Sequence, residues 1–191
     1  TSVCASVSTQ CREMWKVWEN TESYPLSTMV HFDYPARGDM PPVKLHWYDG
    51  GMMPPRPDDL EQGRRMGDSD GGVLFVGDKG KLMCGCYGEG PQLIPQSRMQ
   101  AYQRPDKTLP RVGGRENHEM HWVECCKKGL VQGPSSHFDY AGPFTESVVM
   151  GNLAIRFPNR QLLWDGQAMK VTNLEQANAF VNPPYREGWS L

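Results

Sequence analysis

The sequence lacks the apolar runs and the positive charge that mark membrane proteins and nucleic-acid-binding proteins. No stretch approaches the roughly 18 apolar residues of a transmembrane helix. The opening Thr1-Ser2-Val3-Cys4 carries no basic or apolar segment of a targeting signal. Lys and Arg total 20 against 22 Asp and Glu, a formal net charge of −2, whereas nucleic-acid-binding surfaces carry a basic excess. We therefore expect neither a membrane nor a nucleic acid as partner.

The chain also lacks the loops that hold phosphate groups. No Gly-x-Gly-x-x-Gly follows a predicted strand, and neither Gly-Lys-Ser/Thr nor His-Glu-x-x-His occurs. Paired carboxylates such as Asp58-Asp59 lie in polar loops, where solvated charge is the favoured interpretation. We predict that this chain contains no cofactor-binding residue and no catalytic residue.

The cysteine spacing argues against a metal site and against a disulfide framework. Cys84-Gly-Cys86 and the adjacent Cys125-Cys126 lack the Cys-x-x-Cys spacing of zinc knuckles. His118-x-x-His121 lies just before Cys125, which is one way to assemble metal ligands. The favoured alternative is that the six cysteines are free thiols, which behave as small hydrophobic groups when buried. We predict no metal site.

Alternating hydrophobicity predicts a series of strands. A period of two is visible over residues 2–9, over Ser27–Tyr34 and over Val43–Tyr48. The stretch 72–84 reads as a hairpin, because Gly77-Asp78-Lys79-Gly80 interrupts two extended segments with residues that suit a tight turn. A further short strand is predicted over Gln161–Asp165. Between these elements, residues 49–71 and 88–114 are expected to be long irregular connections.

Helical patterns come late in the chain. Asn117 is expected to cap a helix that runs to about Lys128, and Gly129 ends it. A second helix is predicted to begin at Gly142-Pro143, because proline is tolerated in a first turn, and to stop at Pro158. A short helix is expected over Asn173–Val181. Strands followed by helices indicate an α+β fold, with a mostly antiparallel open sheet and helices packed on one face in two layers.

The strand pattern divides the sheet into two faces of different character. The face that the helices are expected to bury carries Val30, Phe32, Val43, Leu45 and Trp47. The reverse face carries the candidate subunit-interface residues Met29, His31, Lys44, His46 and Tyr48. The mixed polarity of this second face suits a subunit contact, and the alternative is an ordinary solvated face.

Several sequence blocks resemble one enzyme family. The blocks are Gly72–Leu82, Tyr34–Gly51 followed by Pro54–Pro57, Phe138–Ala154, and a tail from Trp164-Asp165 to Trp189. Together they are similar to the C-terminal domains of the glucose–fructose oxidoreductase / inositol dehydrogenase / MocA family, in a branch common in carbohydrate-degrading bacteria. The resemblance spans nearly all of residues 1–191, which we therefore expect to form a single C-terminal substrate-cleft and oligomerisation domain.

The resemblance implies a partner domain that this sequence does not contain. Family members join such a domain to an N-terminal dinucleotide-binding domain that carries a catalytic Lys in a Glu-Lys-Pro segment, and no Glu-Lys-Pro occurs here. We expect a parent enzyme that uses NAD or NADP, acts on a sugar or polyol, forms a homo-oligomer, and resides in the bacterial cytoplasm or periplasm. This chain alone is expected to be inactive.

Candidate substrate contacts are expected in the loops of the substrate cleft that the resemblance implies, because cleft loops on a rigid sheet usually carry binding residues. They are Trp47, Tyr48, Asp49, Arg56, Arg111 and His118. Two alternatives stay open at this point. One is a domain of an NAD-using glycosidase of the same family, and the other is an independent carbohydrate-binding or scaffold domain.

Overall fold

The computed structural model of the protein describes residues 1–8, 10–13, 16–18, 22–112 and 117–189, with the backbone alone for 10–13 and 16–18. The chain divides into two compact units. The first, called the sheet unit, comprises Thr1–Pro54 and Val112–Leu191, and the second, called the hairpin unit, comprises Pro55–Arg111. The expectation of a single C-terminal domain over residues 1–191 stays a prediction.

The secondary structure contains both strands and helices. The described strands are β1 (Ser2–Val7), β2 (Gln10–Glu13), β3 (Lys16–Trp18), β4 (Thr28–Tyr34), β5 (Val43–Tyr48), β6 (Gly72–Gly77), β7 (Gly80–Gly85), β8 (Gln92–Ile94), β9 (Leu162–Asp165) and β10 (Lys170–Val171). The described helices are α1 (Gln96–Ala101), α2 (His118–Lys127), α3 (Phe138–Arg156) and a 3₁₀ helix (Glu175–Phe180). The predicted α+β class and antiparallel sheet are confirmed.

The sheet unit is built on a five-stranded sheet in the order β10-β9-β1-β4-β5. Every neighbouring pair is antiparallel. Strands β2 and β3 form a separate two-stranded antiparallel sheet. Strand β5 lies at the edge of the main sheet, so it has β4 as its strand neighbour.

Helix α3 covers one face of the sheet at β1 and β4. The buried cluster that results contains Val3, Ala5, Val30, Phe32, Met150, Ala154, Leu162, Val171 and Ala177. The helix approaches closely where a side chain is missing: a Cβ built on Gly151 would lie 3.2 Å from the Phe32 ring carbon Cζ. The core of the sheet unit therefore sits between α3 and the centre of the sheet.

The apolar side of β5 does not belong to this core. Val43, Leu45 and Trp47 are 54 %, 43 % and 58 % exposed. The prediction that two helices bury them is wrong. Helix α3 packs over β1 and β4, and the one buried residue of α2 is Cys125. The hydrophobic alternation along the strands predicts which side chains share a face with Phe32. It does not predict how far across the sheet the helix extends.

The observed bounds of the two main helices agree with the predicted bounds to different degrees. Helix α2 begins after Asn117 as predicted, but the Asn117 side chain makes no capping hydrogen bond to the helix. Helix α3 begins at Phe138, earlier than the predicted start at Gly142-Pro143, so Pro143 lies inside the helix. Pro143 has no N–H to donate to the carbonyl of Asp139, which removes one hydrogen bond near the start. Packing of the C-terminal half on the sheet outweighs that loss.

The hairpin unit contains the predicted hairpin as β6 and β7, extended by β8 into a three-stranded sheet. Its buried cluster consists of Leu60, Met83 and Ile94. The expectation of an irregular connection over 88–114 is wrong in part, because β8 and α1 lie within it. Both elements are short, and a three-residue strand shows no readable alternation. Residues 49–71 contain neither a helix nor a strand, as predicted.

Candidate functional site

The hairpin unit holds an open cleft of about 410 Å³ between the loop before β6 and the end of β7. Arg64, Arg65, Glu89 and Gln92 supply polar side chains to its walls. The buried side chains of Met83 and Cys84 also line it. The volume falls at the lower end of the range for small-molecule sites, so the cleft is suited to a small polar ligand.

A network of hydrogen bonds fixes one wall of this cleft. Arg56 donates to the backbone carbonyls of Glu61 and Arg64 at 2.6 and 2.8 Å. The Arg64 guanidinium donates to Glu61 at 2.9 Å and also to the side-chain oxygen of Gln92. Arg56 therefore supports the backbone that carries Arg64, and its own guanidinium is occupied by that task.

The carboxylate of Glu61 accepts bonds from two directions. One oxygen accepts the backbone N–H of Gln96 and the other accepts Arg64. These hydrogen bonds, the backbone one first, lower the pKa of Glu61 from 4.5 to about 2 because they stabilise its charged form. Glu61 thus ties the cleft wall to the start of α1.

Asp68 fixes the opposite side of the cleft. Its Oδ1 accepts the N–H groups of Asp70 and Gly71 at 2.8 and 3.0 Å, and its Oδ2 accepts the N–H of Cys86 at 2.9 Å. The bonds from Asp70 and then Cys86 lower the pKa of Asp68. A Cβ built on Gly85 would lie 2.1 Å from Asp68 Oδ2, so a larger residue at this position would displace the Asp68 carboxylate.

The loop also contains a Gly-x-Ser-x-Gly spacing, although the sequence was interpreted as having no nucleophile elbow of that pattern. Gly67-Asp68-Ser69-Asp70-Gly71 matches the Gly-x-Ser-x-Gly pattern of hydrolase nucleophile elbows. Such an elbow requires a strand, a sharp turn and a helix, whereas this stretch precedes β6 without a helix. Ser69 donates to Asp70 at 3.0 Å. None of the five histidines lies between residues 55 and 111, so the hairpin unit offers Ser69 no histidine base.

The polar groups that the cleft presents to a ligand are few. Within the described residues, Arg65 makes no direct hydrogen bond, although its charge acts on Asp68. Gln92 accepts from Arg64 through its oxygen, which leaves its amide N–H₂ as a donor. Glu89 adds a carboxylate. The cleft therefore offers a bound ligand both hydrogen-bond donors and hydrogen-bond acceptors, including one cationic and one anionic side chain.

The predicted residues Trp47 and Asp49 meet at the end of β5. Asp49 Oδ1 accepts the N–H of Thr28 at 2.6 Å, and Oδ2 accepts the Thr28 hydroxyl at 2.7 Å and the Trp47 indole N–H at 3.0 Å. A Cβ on Gly50, whose φ is +64°, would lie 2.1 Å from the carbonyl oxygen of Leu26. The Trp-Tyr-Asp-Gly-Gly block thus joins the end of β5 to the start of β4.

The other predicted contact residues are divided between the two units. Tyr48 is half-buried and pairs with Met29 across β4 and β5. His118 begins α2, where its Nδ1 lies 3.5 Å from the Ser135 hydroxyl. It borders an open hollow of about 500 Å³ with Glu119, Trp122, Val123 and Ser136. Arg111 is an exposed residue of the hairpin unit. The substrate role of all six residues stays a prediction.

The face of the main sheet opposite α3, called the open face, contains the predicted interface residues. On β1, β4 and β5, the strand register places on this face Ser2, Cys4, Ser6, Met29, His31, Asp33, Lys44, His46 and Tyr48. His31 and His46 are directly opposed, their Nδ1 atoms are 2.5 Å apart, and their rings meet edge to face. Burial, then the neighbouring His46, lowers the pKa of His31.

Neither a metal site nor a membrane span is found in the part of the chain that the structure describes. No group of three or more His, Cys, Asp or Glu residues there could hold a metal ion. Cys4, Cys84, Cys86, Cys125 and Cys126 are free thiols. Among the described helices, none has both the length and the apolar character needed to cross a bilayer.

Comparison with known proteins adds no family to these observations. No protein-family model matches the chain, and no curated protein matches it.

Proposed function

We propose that this chain is the substrate-side domain of an NAD(P)-dependent oxidoreductase that acts on a sugar or polyol. In that enzyme it lines one wall of the substrate cleft and forms a contact between subunits. Cofactor binding and hydride transfer belong to a dinucleotide-binding domain. The resemblance of the sequence blocks supports the reaction class, and the structural observation that carries the proposal is the open face of the five-stranded sheet.

The composition of the open face supports a subunit contact. Met29 and Tyr48 are opposed on β4 and β5, and both are half-buried. Methionine and tyrosine are enriched at protein interfaces, while lysine is depleted. On β1, β4 and β5, the open face carries one lysine, Lys44, which lies opposite Asp33. A patch that is mixed in polarity and locally charge-balanced can face a second copy of itself across a two-fold axis.

The cleft of the hairpin unit supports the choice of a hydroxyl-rich substrate. A sugar hydroxyl both donates and accepts hydrogen bonds. Arg65 and the Gln92 amide are donors and Glu89 is an acceptor, and all three line the cleft. A neutral polyol would use both kinds of group without bringing an uncompensated charge.

The oligomer contact can be tested with charge reversals on the two faces of β5. Light scattering of the chain at micromolar concentration should give at least twice its mass of 21.6 kDa. The double substitution His46→Glu and Tyr48→Glu should give a monomer. The matched control, Val43→Glu with Leu45→Glu, places two charges on the opposite face of the same strand and should leave the dimer intact. If the unsubstituted chain is a monomer in this measurement, the proposal is contradicted.

The reaction class can be tested through the gene. The reading frame upstream of the Thr1 codon should encode a dinucleotide-binding domain, and the product of the whole frame should bind NAD or NADP in calorimetry. The chain alone should bind neither, because it has no glycine loop to hold the pyrophosphate. Micromolar binding by the chain alone, or none by the whole product, would overturn the assignment.

The second candidate is an independent carbohydrate-binding domain, and the cleft of the hairpin unit is the observation that favours it. All of the cleft's lining residues belong to that one unit. Under this candidate, the chain alone should bind a monosaccharide or polyol with no nucleotide present. An upstream frame without a dinucleotide-binding domain, together with such binding, would favour the second candidate over the first.

A further inference from the structure

The contact between His31 and His46 on the open face determines which ring nitrogens carry a hydrogen. The two Nδ1 atoms are 2.5 Å apart, which is a hydrogen-bond contact. A neutral imidazole carries one donor nitrogen and one acceptor nitrogen. One of the two Nδ1 atoms must therefore hold a hydrogen and the other must offer its lone pair. The two rings are opposite tautomers that share a single bridging proton.

This arrangement accepts one further proton but not two. The ring that donates through Nδ1 can take a proton at its free Nε2 and still donate. The other ring already holds its hydrogen on Nε2, so a second added proton can go only to the Nδ1 that accepts the bond. Two N–H groups would then face each other between cations whose ring centroids are 4.8 Å apart. The second protonation breaks the contact between the strands.

The charged neighbours do not relieve this repulsion. On β4, Asp33 attracts a proton to His31 and acts to raise its pKa, but burial and His46 outweigh it. On β5, Lys44 lies opposite Asp33 and offsets its charge. The remaining titratable groups of the open face near the pair are the Cys4 thiol on β1, opposite His31, and the Tyr48 phenol on β5.

Strand β5 is the element that such repulsion would displace. It lies at the sheet edge and pairs with β4, and its residues are exposed on both faces except at Tyr48. Elements with few buried contacts open locally at low free-energy cost. On β4, by contrast, Val30 and Phe32 are anchored in the core under α3.

We propose that the His31–His46 pair is a proton-sensitive latch that holds strand β5 on the sheet at neutral pH and releases it in mild acid. The sign follows from the pair's geometry. Because the folded arrangement resists the second proton, its contribution to stability is fully present above the ordinary histidine pKa of about 6.5. The contribution is lost as the pH falls below that value.

Nuclear magnetic resonance on the whole chain tests the latch directly. Long-range nitrogen–proton spectra of the imidazoles at pH 7.5 should show one Nδ1–H and one Nε2–H tautomer for the pair. Between pH 7.5 and pH 5.0, the amides of residues 43–48 should lose about tenfold of protection beyond the intrinsic pH effect. The amides of β1 should change much less.

Substitutions separate the latch from a general effect of acid. His46→Gln removes the partner ring and should reduce the pH response of the protection of residues 43–48, leaving only the effect of burial on His31. The control His118→Gln, outside the sheet, should leave the wild-type pH response intact. Two Nε2–H tautomers in the wild-type chain would overturn the proposal without any variant. Equal protection at the two pH values, or an unchanged response in His46→Gln, would also overturn it.

Discussion

Removing the carboxylate of Asp49 should destabilise the sheet unit, because this one side chain closes the junction between β4 and β5. It accepts bonds from the N–H and hydroxyl of Thr28 and from the indole N–H of Trp47. Thr28 is only 3 % exposed, so water cannot readily replace those two bonds. The Trp47 indole, by contrast, can return to solvent.

The magnitude of the Asp49→Ala effect follows from these differences in burial. A hydrogen bond to a charged group contributes about 1.5–3 kcal/mol, and a buried donor left without a partner costs about 1–3 kcal/mol. With two buried donors affected and partial relaxation, we expect a loss of about 2–4 kcal/mol. Asp49→Asn should lose less, since the amide oxygen can still accept the N–H of Thr28 while its N–H₂ opposes the indole donor.

Urea unfolding followed by circular dichroism measures this loss. Asp39→Ala, an exposed carboxylate in the preceding turn, is the matched control and should change stability by less than about 0.5 kcal/mol. A double-mutant cycle of Asp49→Ala with Thr28→Val should show coupling of about 1 kcal/mol or more, because the two residues share the bonds removed. A loss below about 0.5 kcal/mol for Asp49→Ala would refute the role assigned to this carboxylate.

Three further substitutions test the hairpin unit and α3. Since hydrogen bonds lower the folded-state pKa of Glu61 to about 2 from 4.5, its stabilising effect is present above pH 4.5 and is lost as the pH falls toward 2. Glu61→Gln should flatten stability over that window in acid titrations. Gly85→Ala would place a Cβ 2.1 Å from Asp68 Oδ2 and should lower the denaturation midpoint by breaking the contacts of Asp68. A Cβ built on Gly142 has no atom within 4 Å, so Gly142→Ala should stabilise α3 by about 0.5–1 kcal/mol. Thermal unfolding can measure this gain. A destabilised variant would contradict the helical assignment at this position.

The local elements of this fold follow closely from the sequence. Period-two alternation predicts β5 over Val43–Tyr48, and the structure has the same bounds. The hairpin turn at Asp78-Lys79 and the start of α2 after Asn117 are also confirmed. These signals are local, because they arise from side-chain direction, turn conformation and capping over a few neighbouring residues.

Features that depend on partners distant in the chain could not be predicted in this way. Asp49 was a candidate substrate contact, yet Thr28, which lies 21 residues away in the chain, occupies both of its oxygens. Alternation placed His31 and His46 on one face, but only the register of β4 against β5 makes them direct neighbours. The cleft in the hairpin unit likewise depends on bonds from Arg64 to Gln92 and from Cys86 to Asp68.

The sequence by itself determined which side chains share each face of the sheet and where most elements begin and end, because backbone geometry sets those properties over short distances. The tertiary structure decided which strand lies at the edge, how far α3 extends across the sheet, and therefore that Val43, Leu45 and Trp47 are left exposed. The order of strands and the reach of a helix are set by packing between segments far apart in the chain. No sequence pattern within one segment predicts that packing.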